Sequence, residues 1–410
     1  MRVISQAQLI RELSALPRQE PRVIAGGNFA TPQHLLAAVD SAVERYRLFM
    51  LNAQGPLPER DEVVYETPFV GPGMRQAGTR LDYLPVRLSL VPQLFSRSRP
   101  PDVVFVHTSA VYSGKVSLGI EVNILPAAIE HARATGGLVV AQINRHMPYT
   151  LGDGEIDTDL IDLAVEADQR LVSPQPNPSG QTAAEIAERV AALVSDGATL
   201  QTGIGTIPDA TLAALKQRRG LAVWSEMISD GMLQLERQGA TDPARPLVAS
   251  FLFGSHDLYR WIDHNPRLRM MRTETTNDPG MIARQPLMTS INTALQVDLL
   301  AQANANLVGG RIYSGFGGQT DFIVGAMHAW SGQAVIALPS WHAKTDTSTI
   351  VGRLDGPVTS FQHSALITEQ GCARIFGRSQ RAQAQLIIDN IAHPDARSSL
   401  RETATRLGLT

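Results

Sequence analysis

Val23-Ile24-Ala25-Gly26-Gly27-Asn28-Phe29-Ala30-Thr31-Pro32 reads as a short apolar strand that runs into a glycine turn and then starts a helix. Threonine suits the cap, and proline at the first helical position sacrifices no hydrogen bond, because that N–H has no partner inside a helix. Leu35, Leu36 and Val39 keep helical spacing, and Leu48-Phe49-Met50-Leu51 is the next apolar run. A strand, a helix and a second strand in this order form a unit with parallel strands. Val63-Val64-Tyr65, Val103-Val104-Phe105-Val106 and Leu138-Val139-Val140-Ala141 repeat the strand pattern, with a helix-like segment from Glu121 to Arg133 between the last two. Runs that are apolar at every position fit strands covered on both faces by helices. The expected fold class is α/β, with open and largely parallel sheets.

Upstream, residues 1 to about 20 alternate polar and apolar positions as a helix does. Downstream, Ser173-Pro174-Gln175-Pro176-Asn177-Pro178-Ser179-Gly180 has prolines that fit neither a helix interior nor a central strand. It is the expected linker, separating an N-terminal α/β domain, 1–175, from a C-terminal one, 181–410. A second alternating series follows: a helix from Ala183 to Val194, strand Thr199-Leu200-Gln201, a helix from Pro208, strand Leu221-Ala222-Val223 and a strand from Leu247 to Phe253. Gly310 to Ser314 reads as a strand, Asp321 to Met327 as a helix, Ala334 to Leu338 as a strand, and the chain closes with helices.

A chain of 410 residues that is 43% hydrophobic and 18% charged can bury more than one core and is not disordered. It has no apolar run of bilayer length, and its first residues lack the apolar centre of a secretory signal. The single cysteine, Cys372, excludes an intrachain disulfide framework, and a cytoplasmic location is expected. A net charge of −3 provides no global field for nucleic acid, so a polyanionic ligand must be held by local groups. The histidines His107, His146, His256, His264 and His342 lack paired ligand spacing, and no metal site is expected. Cys372 reads as an inert thiol rather than a nucleophile, and Arg311, Lys344 and Arg353 are not distinguished as phosphate ligands.

Chemistry concentrates in Trp224-Ser225-Glu226-Met227-Ile228-Ser229-Asp230-Gly231. Glu226 stands just past the carboxyl end of an apolar strand, where open α/β folds place their ligands. A glutamate there also serves as a capping or solvated loop residue, and two glycine loops elsewhere weigh for the nucleophile. Thr202-Gly203-Ile204-Gly205-Thr206 joins a strand to a helix start, so main-chain N–H groups and the positive end of the helix dipole face a ligand without a Cβ in the way. Ser314-Gly315-Phe316-Gly317-Gly318-Gln319 repeats the arrangement. Neither loop has the spacing of a dinucleotide fingerprint, and acyl or phosphate cradling fits better, although a tight turn without a ligand remains open for each.

Taken together, these stretches resemble the acetyl-CoA hydrolase/transferase family, in particular coenzyme A transferases of the 4-hydroxybutyrate and butyrate type. The likeness runs nearly end to end: Ser117-Leu118-Gly119, Ala141-Gln142-Ile143-Asn144, Gly197 to Gln201, Ser225-Glu226-Met227, Asn277-Asp278-Pro279, Gln296-Val297-Asp298-Leu299, Arg311 to Phe322 and Ala337-Leu338-Pro339-Ser340. It departs at Thr368-Glu369-Gln370-Gly371 and Ser109-Ala110-Val111-Tyr112, which blurs the substrate but not the chemistry. The resemblance implies two α/β domains with an active site between them, Glu226 as the catalytic residue, and Gly203, Gly205, Gly315, Gly317 and Gly318 as oxyanion or CoA-binding positions.

It further implies transfer of coenzyme A from an acyl-CoA to a small carboxylic acid such as acetate, through a covalent glutamyl-CoA thioester. Coenzyme A then serves as substrate, with no permanently bound cofactor, and the protein is expected as a homo-oligomer, a dimer or larger. An acyl-CoA hydrolase using the same site, and a CoA-binding protein without turnover, are the alternatives. Retention of a carboxylate beside intact glycine loops favours an enzyme.

Overall fold

A computed structural model describes residues 1–173, 180–356 and 363–410; the expected linker falls, except for Ser173 and Gly180, outside the described residues. Contacts divide the chain into two units. The first comprises Met1–Gln175, Pro246–Thr276 and Ile312–Gly317; the second comprises Pro176–Arg245, Asn277–Arg311 and Gly318–Thr410. Neither is one continuous stretch. The division into 1–175 and 181–410 therefore omits two later segments of the first unit, and the glycine loop at 314–318, expected wholly in the second domain, is divided between them.

The first unit is built on an eight-stranded sheet of β1 (Arg2–Val3), β2 (Arg22–Ala25), β3 (Tyr46–Phe49), β4 (Val63–Thr67), β5 (Leu81–Tyr83), β6 (Val103–Thr108), β7 (Leu138–Asn144) and β8 (Leu163–Ala167). Its order is β1-β8-β7-β6-β2-β3-β4-β5, and every pairing is parallel. Helices α1 (Gln6–Ser14) and α2 (Gln33–Ala42) pack on it, so that Leu9, Leu13, Leu35, Leu36 and Val39 join Val23, Leu48, Tyr65 and Phe105 in one buried cluster. Their i, i+3, i+4 spacing puts an apolar stripe on one face of each helix, as the sequence pattern predicts.

Several expected boundaries shift for local reasons. Helix α2 begins at Gln33, with Pro32 at the cap and the Thr31 hydroxyl donating to the Asn28 carbonyl at 3.3 Å. The segment expected to be helical from Glu121 enters its helix, α3, at Leu125 and leaves it at Thr135. Asn123 stands at φ 37°, a left-handed backbone that a right-handed helix cannot contain. The run from Leu247 to Phe253 breaks into two strands, Leu247–Ala249 and Phe251–Phe253, and belongs to the first unit.

The second unit has a six-stranded sheet of β9 (Thr199–Thr202), β10 (Ala222–Val223), β11 (Met288–Thr293), β12 (Gln333–Ala337), β13 (Ala365–Thr368) and β14 (Gly371–Arg374). Its order is β10-β9-β11-β12-β13-β14, parallel throughout except for the β13–β14 hairpin. Helices α4 (Gln181–Ala191) and α5 (Thr206–Ala214) follow the linker and β9 respectively, and the C-terminal helices add Ile387, Ile391 and Leu400 to a core with Met288, Phe322 and Ile336. The strand expected over Gly310–Ser314 contracts to Arg311–Ile312.

Glu66, in β4 of the first unit, has a fully buried side chain and meets Arg22 at 2.7 Å, Arg47 at 3.2 Å and Arg99 at 3.3 Å. Removing one member of such a cluster leaves the opposite charges without compensation, which costs more than the intact cluster contributes. Glu66→Gln is expected to lower stability by on the order of 3 kcal/mol in urea unfolding, whereas neutralising the exposed Arg2–Glu12 pair changes it by less than about 1 kcal/mol.

Candidate active site

Glu226 follows β10 on the outer edge of the second sheet. Trp224 N–H still donates to the Leu200 carbonyl at 3.1 Å, and the Ser225 hydroxyl donates to the Thr202 carbonyl at 3.4 Å. Since β9 and β10 are parallel, Glu226 and the Gly203 turn leave neighbouring strands at the same end. Position at the carboxyl end of a parallel sheet is the arrangement that the strand reading of Leu221–Val223 anticipates.

Two N–H donors hold the carboxyl. Asn277 Nδ2 lies 3.0 Å from Oε2, and the Gly318 backbone N–H is the second donor. Gly318 caps helix α7 (Gln319–His328), so the donor belongs to the electropositive end of that helix. A Cβ at position 318 would overlap both Glu226 Oε2 and Asn277 Nδ2; only glycine permits the approach. Asp321, in the first turn of α7, is fully buried and faces Glu226 as a like charge.

Glu226 as a residue keeps part of its surface open, but its carboxyl is enclosed enough for desolvation to dominate its titration. Desolvation pushes it from the ordinary 4.5 up to about 7; Asn277 opposes that rise, the Asp321 charge adds to it, and the Gly318 N–H opposes it. Around this group, Thr202 Oγ1, just before the first glycine turn, and Thr320 Oγ1, two residues beyond Gly318, are buried without a protein partner. Asn277 and Asp321 were not singled out as site residues by the sequence. Asn277 begins the Asn-Asp-Pro stretch, in which Asp278 visibly caps a helix by accepting from Met281 N–H at 2.7 Å, but the contact to Glu226 spans 51 positions and leaves no local pattern.

The five glycines separate into three kinds. Gly318 touches Glu226. Gly203 and Gly205 form the turn into α5, where Gly205 takes φ 126° as the cap residue, and a Cβ at either would meet no atom within 4 Å, so the turn's backbone is accessible. Gly315 and Gly317 belong to the first unit: a Cβ on Gly315 would overlap the Pro68 carbonyl, and Gly317, at φ 50°, lies against the Phe69 ring. Close packing on Pro68-Phe69 accounts for the absence of a Cβ at both.

Among the described residues, no cluster of three or more metal-ligating side chains occurs, and no helix is long and apolar enough to cross a membrane. Cys372 lies in the β13–β14 hairpin opposite Ile367, and burial pushes its thiol up, as suits an unreactive side chain.

Comparison with known proteins gives the class first: this is an enzyme of acyl-coenzyme A chemistry, akin to CoA transferases and acetyl-CoA hydrolases. The chain belongs to the acetyl-CoA hydrolase/transferase family, with residues 57–174 matching its N-terminal domain and 254–404 its C-terminal domain. It is 39% identical over 346 residues to the 4-hydroxybutyrate coenzyme A transferase of Clostridium kluyveri, covering 81% of this chain and 80% of the relative. The succinyl-CoA:acetate/propanoyl-CoA:succinate CoA transferase of Fasciola hepatica is 36% identical over 407 residues, covering 93% and 84%. The crystal structure of RipA from Yersinia pestis superposes with a TM-score of 0.92 at 26% identity, covering 100% of this chain and 98% of that one.

Because the folded carboxyl of Glu226 is raised, the folded chain retains a proton that the unfolded chain has released between pH 4.5 and about 7. Stability therefore falls as pH rises through that window. Glu226→Gln has no such proton to lose, so its advantage over wild type in unfolding free energy, measured by urea denaturation, is expected to grow from pH 4.5 to 8, approaching on the order of 3 kcal/mol. An advantage that stays constant with pH would show that the carboxyl is not raised.

Proposed function

We propose that the protein transfers coenzyme A from an acyl-CoA to a small carboxylic acid such as acetate, with Glu226 as the nucleophile. One observation carries this: Glu226 is a desolvated carboxyl raised to about 7 and oriented by the Asn277 amide and the Gly318 N–H. A free carboxylate in water is a poor nucleophile. Desolvation raises its basicity and strips the water that an attack must otherwise displace. The relatives' names speak of 4-hydroxybutyrate, succinyl-CoA, acetate and propanoyl-CoA, all within the substrate class proposed.

The chemistry runs through two adducts. A Glu226 oxygen attacks the thioester carbonyl, the C–S bond breaks, and the acyl group stays on the enzyme as a mixed anhydride while CoA leaves as thiolate. That thiolate attacks the glutamyl carbonyl, releasing the first carboxylic acid as its carboxylate and leaving a glutamyl-CoA thioester. An incoming carboxylate then reverses both steps. In each tetrahedral intermediate the charge moves from the attacking carboxylate or thiolate to a carbonyl oxygen, and the Gly318 N–H at the start of α7 is the proposed oxyanion donor. Gly203 and Gly205 are the proposed backbone approach for the coenzyme. Water attacking the anhydride in place of the thiolate, or the glutamyl-CoA thioester in place of the acceptor acid, gives hydrolysis, which makes exclusion of water the difference between the two outcomes.

Incubation with acyl-CoA followed by borohydride is expected to inactivate the enzyme by reducing the thioester at Glu226 to an alcohol, located by peptide mapping. Fully inactivated protein with an unmodified Glu226 would overturn the assignment. Glu226→Gln should bind acyl-CoA with little turnover, and Glu226→Asp should lose on the order of 100-fold in kcat, because one methylene withdraws the oxygen by about an ångström.

The nucleophile must be ionised, so kcat/KM is expected to rise with pH through an inflection near 7. Asp321→Asn removes a like charge and should move the inflection down; Asn277→Ala removes a donor to the ionised form and should move it up. Inflections unmoved in both variants would dissociate the titration from this carboxyl.

A further inference from the structure

We propose that the first unit carries a binding site for a phosphorylated nucleotide in a cavity of about 430 Å3 beyond the carboxyl ends of β7 and β8. The site stands on the geometry of the first unit and not on the role of Glu226. Arg145 to Pro148 leave β7, Arg170 and Leu171 follow β8, and the third wall is α6 (His256–Ile262) with Asp263. Ligands of open α/β sheets sit at this end of parallel strands.

The wall is basic. Three arginines, Arg145, Arg170 and Arg260, line it against one carboxylate, Asp263, whose Oδ1 is occupied by the Tyr149 N–H at 2.7 Å. Arg145 is fixed by a bidentate contact to Asp168 at 2.9 and 2.6 Å, and Arg260 reaches Asp257 at 3.4 Å. These two pairs leave Arg170, which forms no ion pair or hydrogen bond among the described residues, as the uncompensated guanidinium. A planar five-donor fork with no carboxylate partner suits a phosphate.

Phosphate alone would leave most of the cavity empty. The remaining surface is apolar or aromatic: Met147, Leu171 and the ring of Tyr259 are nearly buried. His256, edge-on to Tyr259 at 6.2 Å between centroids, adds a flat polar ring at the rim. Apolar floor, flat rings and guanidinium planes are what a purine base stacks on, and a volume of this size accommodates an organic ligand. The shared chemistry is a nucleoside carrying phosphate, whether free or as the nucleotide end of coenzyme A.

Calorimetric titration of the full chain with ADP at low ionic strength tests this. Saturable binding is expected, with inorganic phosphate at least about tenfold weaker, and Arg170→Glu and His256→Glu are each expected to weaken ADP by about tenfold or more. Arg170 is exposed, so its substitution leaves the fold intact. Displacement of ADP by CoA would assign the cavity to the nucleotide end of the substrate; ADP binding alongside saturating CoA would assign it to a free nucleotide. Absence of saturable binding up to about 1 mM, phosphate as tight as ADP, or wild-type affinity in Arg170→Glu would each overturn the proposal. ADP affinity in Glu226→Gln is expected to match wild type, so that a failed nucleophile and a failed nucleotide site are told apart.

Discussion

The Glu226 carboxyl and a side chain at position 318 cannot occupy the same space. That exclusion sets how closely the carboxyl can approach the main chain. The carboxyl comes close to the main chain only because Gly318 presents a bare backbone, and the same residue caps α7 and turns its N–H onto the carboxylate. Any larger residue would displace the amide of Asn277 as well, because the two contacts share the same pocket of space. The observed meeting of helix start, amide and carboxylate consequently depends on the missing methyl group at 318.

The electrostatics of the site are a contest in which burial wins. Two N–H donors favour the ionised form, and each would by itself lower the pKa of a carboxyl. Desolvation outweighs both, and the buried Asp321 pushes the same way. The result is a group near its midpoint at neutral pH, still oriented by its donors although energetically expensive to ionise. Buried carboxyls without a task are commonly held by full charge compensation, as Glu66 is by its arginines in the other unit. Glu226 has amide donors in place of guanidinium groups, so the two buried carboxyls of this chain are held in chemically different ways.

Much of the architecture was legible in the sequence because parallel strands buried on both faces leave an uninterrupted apolar signature. Val103 to Val106, Leu138 to Ala141 and Ala334 to Ile336 all fall in central strands. Errors gathered where polar residues carry a backbone conformation that composition does not encode. Glu121 to Asn123 looked helical, yet Asn28 and Asn123, both left-handed, donate to the buried Glu121 carboxylate at 2.7 and 2.9 Å and form a turn. The contacts around Glu226 were legible only in part. Glu226 and Gly318 stand out through strand ends and glycine, whereas Asn277 and Asp321 reach Glu226 from segments remote in sequence. Gly315 and Gly317 show why a glycine loop is hard to read, since glycine marks close packing on Pro68 and Phe69 as readily as it marks a ligand.

The interleaving of the two units along the chain also bears on how the protein is made. Ile312–Gly317 is the last piece of the first unit, and it is joined to Gly318, the start of the final stretch of the second. A ribosome must therefore synthesise the chain as far as Gly317 before the first unit has all its parts. Its eight strands, all within the first 167 residues, must wait in an incomplete state while Pro246–Thr276 and then Ile312–Gly317 are synthesised. Domains of contiguous sequence escape this delay. Here the first unit is completed only after two of the three segments of the second, Pro176–Arg245 and Asn277–Arg311, have been synthesised.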